Sequence, residues 1–189
     1  LGLETNEFET VVNWMDEDFP DPGLYPVFFA GINRYVRQVL ITLLPVLHES
    51  GMAYSALVEV YLLQQRPDGS TGPNMAAWGR GDVEVEASDS FSMPPLWDIA
   101  YLTDGLTGLG FPLSDETLAP RDLNILFEDE SSADEVQLLL DLGHVQEVGR
   151  VDFWPAAPPA GLAIPSFGFP GEISVELSPF PDFREKKVV

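Results

Sequence analysis

The sequence predicts an all-β domain: a single jelly-roll β-sandwich or barrel with long loops and one or two short helices. Three observations lead there. Apolar segments are short, and several alternate with a period of two. The connections between them draw on 17 prolines and 16 glycines. No regular helix–strand alternation of an α/β protein is visible. A chain of 189 residues suits one domain, 1–189, with a substantial core. An N-terminal arm or loop region, 1–24, precedes the core, and an extended tail, 178–189, follows it. The 45% hydrophobic content supports a packed core and argues against wholesale disorder.

In chain order, residues 8–14 form a short apolar run. An acidic turn over 15–23 follows, with two prolines and a glycine. Residues 25–30 are aromatic and read as an edge strand or a docked arm. The longest apolar stretch spans 35–65, broken at His48, Glu49, Ser50 and Gly51. Its halves, 35–47 and 54–65, read as two long strands folded back on each other at that turn. Val36, Val39, Leu40, Leu43, Leu44 and Leu47 also recur at helical spacing, so a helix over 35–47 stays open. Pro45 and the β-branched Val36, Val39, Ile41, Thr42 and Val46 favour strand. In the partner run, Tyr54, Ala56, Val58, Val60 and Leu62 share one face, and turn residues over 66–73 close it.

Val83, Val85 and Ala87 alternate with Asp82, Glu84 and Glu86, which gives a strand with one dry and one wet face. Residues 96–102 form a further candidate strand. A Gly/Pro-rich connection, 103–120, carries one helical turn near 114–118, and 123–127 reads as a strand. For 136–142 two readings stay open. Ser132 and Glu135 resemble a capping box for a short helix, while Val136, Leu138, Leu140 and Leu142 line one strand face, and strand is preferred. Residues 145–154 are extended, 155–170 are a Pro/Gly-rich loop, and 172–177 alternate again.

Charge separates the chain from ordinary proteins. It carries 31 acidic residues against 9 basic ones, a formal net charge of -22, and lysine occurs only at Lys186 and Lys187. That charge strains a compact domain in dilute buffer. In about 1 M salt the Debye length falls to about 3 Å and most of the repulsion disappears. The pattern fits an extreme halophile, with an ordinary acidic mesophilic protein as the alternative. Its sign argues against nucleic acid as a partner, since phosphates are held by Lys and Arg. Cysteine is absent, which excludes disulfides, thiolate metal sites and thiol catalysis. No apolar stretch of 18 residues predicts a membrane-spanning helix. A start at Leu1 rather than Met implies N-terminal residues that were processed or are missing.

Motifs for chemistry are sparse. The only histidines, His48 and His144, both read as polar turn residues. With Glu49 or Glu147 they would make a poor metal site, the basis of an alternative reading as a cupin-like β-barrel metal enzyme. A ligand- or carbohydrate-binding β-sandwich is a further alternative. The acidic cluster of Glu128, Asp129, Glu130, Asp134 and Glu135 lacks the order of a calcium loop and reads as a solvated face, as do Asp16, Glu17 and Asp18. The Arg80-Gly-Asp82 tripeptide is assigned no role, and 105–110 lacks the order of a phosphate-binding loop. No catalytic residue, cofactor site or metal site is expected.

Trp154, Phe167, Phe169, Phe180 and Phe183 lie in Pro-rich segments that cannot form regular ladders. They are candidate subunit-interface residues, on apolar loops and an extended arm. In size, haloacidic charge, strand pattern and apolar tail, the chain resembles the small single jelly-roll major capsid proteins of halophilic archaeal icosahedral viruses with an internal membrane. In that group two jelly-roll proteins stand upright and build hexagonal capsomers together. The resemblance implies a virion shell subunit whose partners are other capsid subunits, itself and a second capsid protein, with the membrane at most nearby beneath the shell. Strands of about 13 residues at roughly 3.3 Å each would span about 43 Å, which suits an upright barrel.

Overall fold

The computed structural model describes residues 8–17, 19–47, 53–77, 82–90, 92, 94, 98–106, 135–156 and 167–180. Through them run strands β1 (Glu9–Trp14), β2 (Val27–Leu44), β3 (Val46–Leu47), β4 (Ala53–Tyr54), β5 (Leu57–Gln65) and β6 (Thr71–Asn74). β7 (Glu84–Ala87), a 3₁₀ turn (Ile99–Thr103), β8 (Val136–Pro155) and β9 (Glu172–Ser178) complete them. Every pairing is antiparallel. The fold is all-β, as the sequence predicts.

β2 and β8 organise the rest. They pair from Val27↔Phe153 to Leu43↔Val136, with two breaks in register. Between Ala30↔Arg150 and Arg34↔Val148, β2 carries two extra residues, and Gly31 and Asn33 there have φ of 82° and 49°. Between Val36↔Gln146 and Gln38↔Asp141, β8 carries three extra residues, and Gly143 has φ of 73°. Bulges bend a strand and add twist. Here the second one marks where both strands change partners.

Beyond it, residues 38–44 of β2 pair with β9, which pairs with β1, while residues 138–141 of β8 pair with β7. Before it, residues 150–155 of β8 pair with β5, which pairs with β6. The hydrogen-bonded ladder is continuous through β1-β9-β2-β8-β5-β6, with β7 on β8. The exchange of partners at the bulge divides it into two sheets, β1-β9-β2-β8-β7 and β2-β8-β5-β6, each using a different half of β2 and β8. With each half counted separately, and β7 set aside as an added edge, the order is that of a jelly roll.

The interior follows from period-two alternation. Val39, Ile41 and Leu43 of β2, Leu138, Leu140, Val151 and Phe153 of β8, Val60 and Leu62 of β5, and Ile173 and Val175 of β9 are fully buried in one cluster. Each such side chain contributes about 1.5–3 kcal/mol. Trp14, Phe19, Phe29 and Phe169 close one side, with ring centroids 4.8 Å (Trp14–Phe19), 6.4 Å (Phe19–Phe29) and 5.8 Å (Phe19–Phe169) apart.

Residues 35–47 are strand, not helix, but the expected long hairpin with 54–65 does not form. β2 already has β8 on one edge and β9 on the other, so only Val46↔Tyr54 and Leu47↔Ala53 remain of that pairing. Pro45 has no amide hydrogen and separates β2 from β3. The expected strand over 96–102 is corrected as well: Ile99–Thr103 is a 3₁₀ turn, capped by Asp98, whose Oδ1 accepts from the Ala100 amide at 3.0 Å. Residues 136–142 are strand, continuous with 145–154, and residues 27–30 begin β2. β1 lies inside the segment expected to be an arm. The expected helical turn at 114–118 and strand at 123–127 fall outside the described residues.

Candidate functional site

Residues directly opposite one another on paired strands share a face. Phe153 and Val151 point into the core, so Arg150, Asp152 and Trp154 point out from β8. Their partners on β5 are Leu63, Tyr61 and Glu59, and Phe28 of β2 lies opposite Asp152. The outer face of the smaller sheet therefore collects an acid–aromatic cluster.

Glu59 is its centre. It is the one acid in a strand otherwise apolar until Gln64, and its exposure is 0%. Its Oε1 accepts from the Gly105 amide at 3.0 Å, while Oε2 faces no donor. Burial, with the Asp104 carboxyl alongside, pushes the Glu59 pKa up to about 9 against the hydrogen bonds that Gly105 and Leu106 donate. Near neutral pH Glu59 therefore holds its proton, with the Asp104 carboxyl as the neighbouring acid. Burial, with Glu59, Asp152 and Asp104 near, also pushes Tyr61 up to about 12.

The rest of the cluster is mutually braced. Arg150 donates from Nη2 to Asp152 Oδ2 at 2.8 Å, and its guanidinium carbon lies 3.9 Å from the Phe28 ring centroid. Trp154 packs on Tyr61 with ring centroids 5.7 Å apart. The 3₁₀ turn packs against β5 and β7 and buries Leu102 completely. Glu59 thus ties the chain after that turn to the sheet. It is fully buried, and the hydrogen bond that it accepts from the Gly105 amide makes this tie to β5 a latch.

A second constellation fixes the bend. Asp141 Oδ1 accepts from Arg37 Nε at 3.0 Å and from the Gly143 amide at 2.8 Å, and Oδ2 accepts from Gln38 Nε2 at 3.0 Å. Burial pushes this carboxyl up, but the three donors outweigh it and hold its pKa below the usual range. Gly143 is required there: a Cβ would lie 2.9 Å from the Asp82 carbonyl oxygen, and φ is positive. At the far edge, Glu9 and Arg34 form a two-point pair at 2.7 and 2.8 Å, linking β1 to β2.

Of the candidate interface residues, Trp154 is half-buried in the acid–aromatic cluster and Phe180 is half-buried after β9. Phe167 and Phe169 are turned inward. Phe167 packs on Tyr54 at 5.4 Å between centroids and Phe169 joins the core. Phe183 lies outside the described residues, as do His48 and most of the acidic cluster at 128–135. His144 is exposed on the β8 bulge, and Asp16, Glu17 and Glu135 are exposed. No group of three or more His, Cys, Asp or Glu among the described residues is placed to hold a metal ion. No helix among them is long and apolar enough to cross a membrane. Sequence reasoning missed Glu59, although a single acid within Leu57–Gln65 was the available signal.

The fold defines an antiparallel jelly roll with a buried carboxyl latch. Neither a protein-family model nor a curated protein matches the chain.

Proposed function

We propose that the protein is a structural shell subunit, a capsid protein of a halophilic virus that assembles with itself and a second capsid protein. The observation that carries this reading is the jelly-roll strand order, an architecture that serves capsid proteins as well as lectins and cupins. The step from fold to role is an analogy. The charge of -22 adds to it, because such a surface is suited to molar salt. On this reading the working parts are surfaces and not a pocket, the partners are other capsid subunits, and neither nucleic acid nor cofactor is needed. The setting is the virion, with a membrane at most beneath the shell.

The bent β2 and β8 refine the upright-barrel idea. Each long strand serves both sheets, so its 18 or 20 residues do not measure the height of the barrel. Negative-stain electron microscopy of the purified chain in molar salt, alone and with a second coat protein that co-purifies with it, tests the role. Rings or hexagonal arrays are expected, and particles that stay unassembled in every mixture would overturn it.

A further inference from the structure

We propose that the first half of β2 is a contact surface for a second copy of this chain. Residues 27–36 of β2 are hydrogen-bonded to β8 on one edge, and among the described residues no strand pairs with the other edge, because β9 begins its pairing at Gln38. The large hydrophobic side chains exposed among the described residues gather here. Tyr25 is 74% exposed, Tyr35 68%, Phe28 54% and Leu24 45%, and Val145 at 49% sits on the β8 bulge that faces the same part of β2. Scattered exposed apolar residues need no explanation, but several along one unpaired stretch of strand point to an interaction surface.

Charge decides the occupant. No Asp or Glu occurs between Asp21 and Glu49 in a chain with 31 acids. Two copies of a molecule of charge -22 repel over most approaches. Along this strip, however, the nearby acids Glu9, Asp141 and Asp152 are each matched by an arginine, Arg34, Arg37 and Arg150. Like charge is thus compensated here except at Glu147, which lies opposite Tyr35. An acidic partner of different sequence would need free positive charge, yet Arg34 and Arg37 are already paired, with Glu9 at 2.7 Å and Asp141 at 3.0 Å. The strip is apolar and, Glu147 apart, locally neutral, which suits its own copy about a two-fold axis, each strip meeting the other. Gly31 and Asn33 bulge the edge after Ala30, so aromatic side chains carry the contact more than a main-chain ladder does. The association is accordingly weak and reversible.

This deepens the shell-subunit reading and rests on it for its setting; the contact itself stands on the strip. Sedimentation equilibrium of the chain alone in molar salt tests it, comparing wild type with Y35D, Y25D and T71D. Thr71 is exposed on β6, the opposite edge of the same sheet, and controls for added charge. Wild type and T71D are expected to dimerise with rising concentration. Y35D and Y25D should weaken the dimer tenfold or more, since each copy brings the new charge, with circular dichroism and melting unchanged. The conservative Y35F should dimerise as wild type does. A wild type that stays monomeric at all concentrations, or aspartate variants that dimerise like wild type, would overturn the proposal. Normal dimers without ordered arrays would instead sink the shell-subunit reading and leave this contact standing.

Discussion

Replacing Glu59 by glutamine should remove a pH dependence that the fold carries at its centre. The folded-state pKa of about 9 lies above the ordinary 4.5, so the folded chain keeps a proton that the unfolded chain releases. The native state then binds more protons than the unfolded state between those values, and stability falls as pH rises through that window. One pKa unit corresponds to about 1.36 kcal/mol, so the interval from 4.5 to 7 costs wild type at most about 3–4 kcal/mol. Glutamine copies the protonated carboxyl: its oxygen can accept from the Gly105 amide, and its NH₂ can donate to Asp104. E59Q should match wild type near pH 4.5 and exceed it increasingly toward pH 9. Urea unfolding at constant molar salt, followed by tryptophan fluorescence at half-unit pH intervals, measures the difference. Other titrating groups largely cancel in it. Parallel curves for the two proteins would show that Glu59 is ionised or hydrated in the fold, and would refute the latch.

Three further outcomes follow from the same structure. D141N should lose about 2 kcal/mol, because an amide cannot serve Arg37, Gln38 and the Gly143 amide together. In wild type the stabilisation from this depressed carboxylate is complete above its unfolded value of 3.8 and is lost as pH falls through its lower folded value, so acid unfolding of wild type below 3.8 should be steeper than that of the variant. G143A should cost at least about 2 kcal/mol by thermal unfolding, from positive φ and the Asp82 carbonyl oxygen 2.9 Å from the new methyl. The melting temperature of wild type should climb steeply between about 0.1 M and multimolar salt, and a flat calorimetric profile would leave the charge of -22 without its screening role.

Local chemistry made much of the fold legible. Alternation over 82–87 and 172–177 gave β7 and β9, and Pro45 with its β-branched neighbours gave strand for 35–47. What the sequence could not supply was which strand pairs with which. Residues 35–47 and 54–65 are near in sequence and both apolar, so a hairpin was the economical reading. In the fold β2 instead finds β8 about a hundred residues away and β9 farther still. A strand buried on both edges carries no mark of its partner's position, because hydrophobic burial is non-directional.

The candidate site divides in the same way. Composition by itself determined a strongly acidic chain without cysteine, since charge and residue type are properties of the sequence whatever its shape. Tertiary structure alone decided that Glu59 is buried beside Asp104, that Asp141 gathers three donors, and that Phe167 and Phe169 turn inward while Phe28 and Tyr35 face solvent. Each outcome depends on groups brought together from distant parts of the chain. Burial and pKa are set by those neighbours in space, and a linear pattern does not contain them.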